Sequence, residues 1–145
     1  MNDRKTVRST DDMNTELQNT ENLKQFLEEN KQNFSPREFS RLLKEQIRKK
    51  KMNKATLAKA AGMSDVYLHQ LISGRRSPSR TRLICLCIGL GLTLEETQQL
   101  LVRAGMGPLY AKNRWDAIII YGISHRLDLY AINDLLFDAN EDTMV

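Results

Sequence analysis

The sequence predicts an all-α fold. Three observations carry the prediction: apolar residues recur at helical spacing from Phe39 onward, cap-type residues precede successive apolar runs, and the last segment repeats the one before it. With 145 residues, 41% hydrophobic and 28% charged, the chain suits one compact domain with a short arm or extension. Its longest apolar run, Leu83 to Leu92, is about half of what a membrane span needs. The polar stretch from Met1 to Thr20 lacks the apolar core of a secretory leader, so a reduced, cytoplasmic setting is expected. Cys85 and Cys87 sit two apart on a predicted helix and point to different sides, which suits neither a disulfide nor a metal pair.

Taken in order, residues 1–33 read as a flexible arm. Residues 1–19 are polar and aperiodic, whereas 20–31 have the spacing of a short amphipathic helix through Leu23, Phe26 and Leu27. The first firm boundary is Phe34-Ser35-Pro36-Arg37-Glu38-Phe39. Ser35 suits the N-cap, Pro36 the first helical position and Glu38 the third, while Phe34 and Phe39 can form a hydrophobic staple. A domain over 34–108 therefore begins here, followed by a helical extension over 109–145. The first helix of that domain runs to about Lys50 with Phe39, Leu42, Leu43 and Ile47 on one face. Its end, Arg48-Lys49-Lys50-Lys51, suits the negative pole of the helix and is either a solvated basic end or a phosphate contact.

Two short helices follow. Asn53 caps the first and Gly62 supplies a left-handed residue after it, whereas Ser64 caps the second and Gly74 ends it. After the loop from Arg75 to Ser79, a helix from about Arg80 to Gly89 is apolar nearly all round and is expected to be buried. Residues 79–109 then align with 114–144 at an offset of 35 without a gap. Leu83 and Ile84 fall on Ile118 and Ile119, Leu92 and Leu94 on Leu127 and Leu129, and the cap residue Thr93 on Asp128. The repeat makes residues 117–123, AIIIYGI, helical although their β-branched content favours a strand. Two copies are too few for a solenoid, so the second hairpin is expected to pack on the first or on a partner chain.

The net charge of +4 hides an asymmetry. Residues 1–34 carry −2, residues 35–114 carry +11, and residues 115–145 carry −5. A compact segment at +11 suits a polyanion, because neutralised phosphates release condensed counterions.

Residues 53–74 meet the steric demands of a helix-turn-helix. Close crossing of two short helices needs a small residue on the first, Ala58; the turn needs a residue tolerant of positive φ, Gly62. Leu57, Ala61, Met63, Leu68 and Leu71 supply the buried side. The stretch LAKAAGMSDVYLHQLISGRRSPS resembles the Xre/Cro family, similar to lambda-type phage repressors, and the resemblance covers roughly residues 37–97. It implies a five-helix lambda-repressor-like domain that binds operator DNA, usually as a dimer on a palindromic site. The C-terminal hairpin, repeating the fourth and fifth helices, lies outside it.

By position, the resemblance places Asp65, Val66, His69 and Gln70 against base edges, although Asp65 departs from the neutral or basic residue usual there. It places Lys54, Ser73, Arg75 and Arg76 against backbone phosphates. Tyr67 is expected to be half-buried packing, and Arg80 and Arg82 solvated side chains with an auxiliary role at most. His69 and His125 lack partners at metal-ligand spacing, and no P-loop, GxSxG or Cys/His signature is present, so neither enzymatic activity nor a cofactor is expected. The expected function is a DNA-binding transcriptional regulator, a repressor acting as a homodimer. The alternative is a protein-interaction module, an antitoxin or adaptor, on the same fold. The apolar content of 114–144, including Trp115, Ile118, Ile119, Ile123, Leu127, Leu135, Leu136 and Phe137, must be covered by the same chain or by a second copy.

Overall fold

The computed structural model describes residues 10–19, 23–25 and 36–145. Within them lie the helices α1 (Thr10–Asn19), α2 (Pro36–Lys50), α3 (Lys54–Ala60), α4 (Asp65–Ile72), α5 (Arg80–Gly89), α6 (Leu94–Arg103), α7 (Arg114–Ser124) and α8 (Leu129–Asp138), with a helical fragment at 23–25 and no strand among the described residues. The fold is all-α. Pro36 opens α2, as the sequence suggests, whereas Ser35, the Phe34 staple, Phe26 and Leu27 lie outside the described residues.

Helix α1 forms at Thr10–Asn19, inside the segment read from sequence as a flexible arm. It has no apolar stripe to betray it. Asp11 and Asp12 in its first turn complement the positive helix N-terminus, and the Thr15 hydroxyl bonds back to the Asp11 carbonyl at 3.0 Å. Hydrophobic periodicity is blind to a helix of this kind.

From α3 onward helices begin, and from α2 onward they end, by one repeated device. Asn53, Ser64, Ser79, Thr93, Asn113 and Asp128 each accept a backbone N–H of the following first turn. At the other end, the residue after each cap has positive φ: Lys51, Gly62, Gly74, Gly91, Gly105, Arg126 and Asn140. The next backbone N–H then returns to a carbonyl five residues back, as in Met63 to Ala58 and Leu92 to Cys87, both near 3.0 Å.

The core runs continuously from Phe39 through the wholly buried Leu83–Cys87 run of α5 to Leu136 and Met144. Helix α5 lies at its centre, packed against α3, α6 and α8. Equivalent positions of the two hairpins make equivalent bonds. The Gln98 amide donates to the Leu109 carbonyl at 2.8 Å and accepts its N–H at 2.7 Å. Its counterpart Asn133 accepts from the Met144 N–H at 2.7 Å and donates to the Val145 carbonyl at 2.8 Å. Likewise Arg80 Nε donates to the Gly107 carbonyl and Trp115 Nε1 to that of Asp142, each at 2.8 Å.

The second hairpin covers its own chain. Ile119, Ile123, Leu129, Ile132 and Leu136 are buried, and the Tyr130 hydroxyl donates to the Lys59 carbonyl of α3 at 3.1 Å. A Cβ at Gly62 would stand 2.7 Å from Leu129 Cδ2 and 3.0 Å from Val145 Cγ1, so the hairpin and the chain end rest on the turn between α3 and α4. Trp115, Ile118, Leu127 and Leu135 are half-buried; Phe137, at 72% exposure, stays outside. Most of the aliphatic content of the segment is therefore covered within the chain, and Tyr121, Tyr130, Phe137 and Val145 are its exposed apolar side chains.

Candidate nucleic-acid interface

The pair α3 and α4 has the close crossing that its residues imply. Asn53 Oδ1 accepts from Ala55 and Thr56 N–H at 2.8 and 3.2 Å, which fixes the start of α3 and puts Lys54, exposed, at its first position. Leu57, Ala58 and Ala61 are buried, Gly62 has φ of 65°, and Met63 is partly buried against the core. Ser64 Oγ then accepts the Tyr67 N–H at 3.0 Å and starts α4, whose Leu68, Leu71 and Ile72 face inward.

The opposite face of α4 presents Asp65, Val66 and His69 to solvent, with Gln70 half-buried at its edge. Val66 is 68% exposed. A β-branched side chain gains nothing in water, so its display in the first turn of a short, firmly seated helix suits contact with a base edge. Asp65 lies in the first turn, where its charge complements the helix N-terminus; a local stabilising role accounts for an acidic residue at this position.

The loop after α4 is held by its own backbone. Arg75 and Arg76 N–H both donate to the Gln70 carbonyl, at 3.0 and 3.3 Å, as does Ser73 Oγ at 3.1 Å. Ser73, Arg75 and Arg76 are exposed, and buried Pro78 anchors the segment. Half-buried Tyr67 packs below: the Arg76 and Arg82 guanidinium carbons lie 5.7 and 5.8 Å from its ring centroid, within cation–π range. Arg82 is thus tied to the ring. Arg80 also departs from the solvated reading, because it pairs with buried Asp116 at 3.0 Å and donates to the Gly107 and Pro108 carbonyls. It is a clasp between the two hairpins and has no hand free for phosphate.

Arg37 belongs beside the loop, and the sequence reading passed over it. A Cβ at Gly74 would lie 3.7 Å from both Arg37 Cα and Cγ, and buried Ser40 Oγ donates to the Ile72 carbonyl, which joins the start of α2 to the end of α4. Its helical spacing with later cations was the available signal.

Other chemistry has little purchase. Burial pushes the Cys85 thiol up to about 11 and that of Cys87 to about 12, so both are protonated at neutral pH and supply no thiolate. Among the described residues no group of three or more His, Cys, Asp or Glu is placed to hold a metal. A groove of about 380 Å³ between the two hairpin turns is lined by equivalent residues such as Ile88 and Ile123, or Leu92 and Leu127. The Thr93 and Asp128 oxygens at its rim are engaged in capping α6 and α8. No helix in the described residues is long and apolar enough to cross a membrane.

The helix-turn-helix family matches residues 43–97, from the second half of α2 into the first turn of α6. Over those residues the chain is similar to helix-turn-helix domains of the Xre type. No curated protein and no solved structure matched the chain. The kind of function belonging to a helix-turn-helix domain is that of a DNA-binding regulator. Here α4 is the second helix of the pair, and the hairpin α7–α8, beyond the matched segment, packs against the turn between α3 and α4.

Proposed function

We propose that this chain is a sequence-specific transcriptional repressor, without enzymatic activity or cofactor, that occupies a palindromic operator as a homodimer. The carrying observation is the two-sidedness of α4: one side wholly buried, the other displaying Asp65, Val66 and His69 with Gln70 at its edge. In the major groove Gln70 pairs with adenine, Val66 touches a thymine methyl, His69 donates to guanine or phosphate, and Asp65 accepts from cytosine. Lys54, Ser73, Arg75 and Arg76 take backbone phosphates and set the register. The dimer is supported by reading capacity: one short helix spans too few base pairs for a selective site, and a two-fold pair doubles it.

The test separates the two residue sets. After the operator is selected from a random library, Gln70→Ala is expected to relax discrimination at one base position by about 1–3 kcal/mol. Arg75→Ala or Lys54→Ala is expected to weaken all sequences alike and to flatten the slope of log affinity against log salt by about one unit. Salt-independent binding, or no enrichment from the library, refutes the proposal. Sedimentation on the selected operator decides the dimer.

The exposed side of α8 favours a second reading, a protein-interaction module such as an antitoxin or adaptor. Tyr130, Asp134, Phe137 and Asp138 are all exposed along it, an acidic and aromatic face suited to a basic protein partner.

A further inference from the structure

Helix α2 carries a row of cations that the helix-turn-helix reading does not use. Arg37, Arg41, Lys44 and Arg48 follow one another at intervals of four, three and four residues, and Lys51 follows three residues later; all five are exposed. The intervals from Arg37 to Arg48 keep those four on one face of α2, turned away from the buried Phe39, Leu42 and Leu43, while Lys51, with φ of 52°, lies just past the helix end. From Arg37 to Arg48 the row covers roughly 16 Å at the usual helical rise. Glu38 engages Arg41, and Lys50, off the row, reaches Glu96 at 3.4 Å.

Both ends of the row meet the proposed phosphate contacts. Arg37 stands against Gly74, in the loop that presents Arg75 and Arg76. Lys51 is separated from Lys54 only by Met52 and the Asn53 cap. Exposed cations therefore run from one edge of the helix-turn-helix, along α2, to the other, with Glu38 and Glu45 acting on Arg41. No large apolar side chain of α2 is exposed, whereas a helix that adsorbs to a lipid surface sets aromatic or leucine side chains beside its cations. Evenly spaced cations with no apolar neighbours and no base-reading groups suit the phosphate backbone of a duplex.

We propose that the outer face of α2 is a second, sequence-independent contact for double-stranded DNA, holding duplex that flanks the segment read by α4. The proposal rests on the DNA-binding reading above and adds a longer footprint, with the flanking duplex bent toward α2. Its test uses the full chain, fluorescence anisotropy, and two duplexes centred on one selected operator, of about 16 and about 40 base pairs, the shorter holding both half-sites with little flank to wrap. The Lys44→Gln/Arg48→Gln double variant replaces two exposed side chains, and unchanged thermal melting checks its fold. On the long duplex it should bind about 10-fold more weakly, with the salt slope flattened by about two units, and on the short one within about two-fold of wild type. Lys44→Glu/Arg48→Glu should enlarge the long-duplex loss. Equal losses on both duplexes would place these residues inside the primary footprint and overturn the proposal. So would the absence of loss on either duplex, or a loss confined to anionic vesicles. Wild-type protein that bound neither duplex would remove the helix-turn-helix reading along with it.

Discussion

Gly62 and Gly91 form a matched pair for testing how the C-terminal hairpin is seated. Both follow a helix C-cap, with φ of 65° and 70°. A Cβ at Gly91 would meet nothing within 4 Å, whereas at Gly62 it would press on Leu129 Cδ2 at 2.7 Å and Val145 Cγ1 at 3.0 Å. Gly91→Ala therefore costs only the left-handed penalty of an L side chain, about 1–2 kcal/mol. Gly62→Ala adds overpacking, which ranges about 1–3 kcal/mol and falls toward the low end here because both obstructing atoms are side-chain tips. The expected costs are about 1–2 kcal/mol for Gly91→Ala and about 2–4 kcal/mol for Gly62→Ala, a difference of roughly 3–6 °C in Tm for a chain of this size. Urea unfolding read by far-ultraviolet circular dichroism and by the fluorescence of Trp115, in the C-terminal hairpin, measures both costs and shows whether the hairpin unfolds with the rest. In a double-mutant cycle, Leu129→Ala should lower the cost of Gly62→Ala toward that of Gly91→Ala, the Val145 contact accounting for the remainder. Equal costs for the two glycines with Leu129 intact would refute the seating of the hairpin on the turn. So would a Trp115 transition at lower urea than the helix transition.

Two further outcomes follow from the same geometry. Arg126 stands at the repeat position of Gly91 with φ of 57°, and Arg126→Gly should raise stability by about 0.5–1 kcal/mol as a higher urea midpoint. Glu96 completes the α6 capping box, and the N–H it accepts from Thr93, together with Lys50, holds its carboxyl below the ordinary value of 4.5. Its contribution is present above the ordinary carboxylate value and is lost as the pH falls through the depressed one. Glu96→Gln should accordingly lower the urea midpoint at pH 7 and leave it nearly unchanged near pH 3. A loss of equal size at both pH values would deny the charge any part.

Local signals made much of the fold legible. A cap residue, a left-handed position and an apolar period each act within about one helical turn, so Asn53, Gly62, Ser64, Gly74 and Thr93 mark their boundaries in the sequence as they do in the structure. The repeat at an offset of 35 settled the AIIIYGI segment as helix, and α7 has that form. The displayed face of α4 was readable for the same reason, since a helix of fixed period with a known buried side has a known exposed one. Helix α1 escaped because its stabilisation is electrostatic and leaves no apolar trace.

What only the tertiary structure decided depends on residues far apart in the chain. Nothing local to Arg80 announces its pairing with Asp116, or that Arg82 lies over the Tyr67 ring. Arg37 joins the loop at Gly74 because α2 crosses the end of α4, a consequence of packing angle. The second hairpin, too, was specified as a unit but not as to destination: its apolar face fits a second copy or its own chain equally well by composition. Leu129, Tyr130 and Val145 close on Gly62 and Lys59, so the inner face of the hairpin is covered within one chain, while Tyr121, Tyr130 and Phe137 keep more than half of their surface in water.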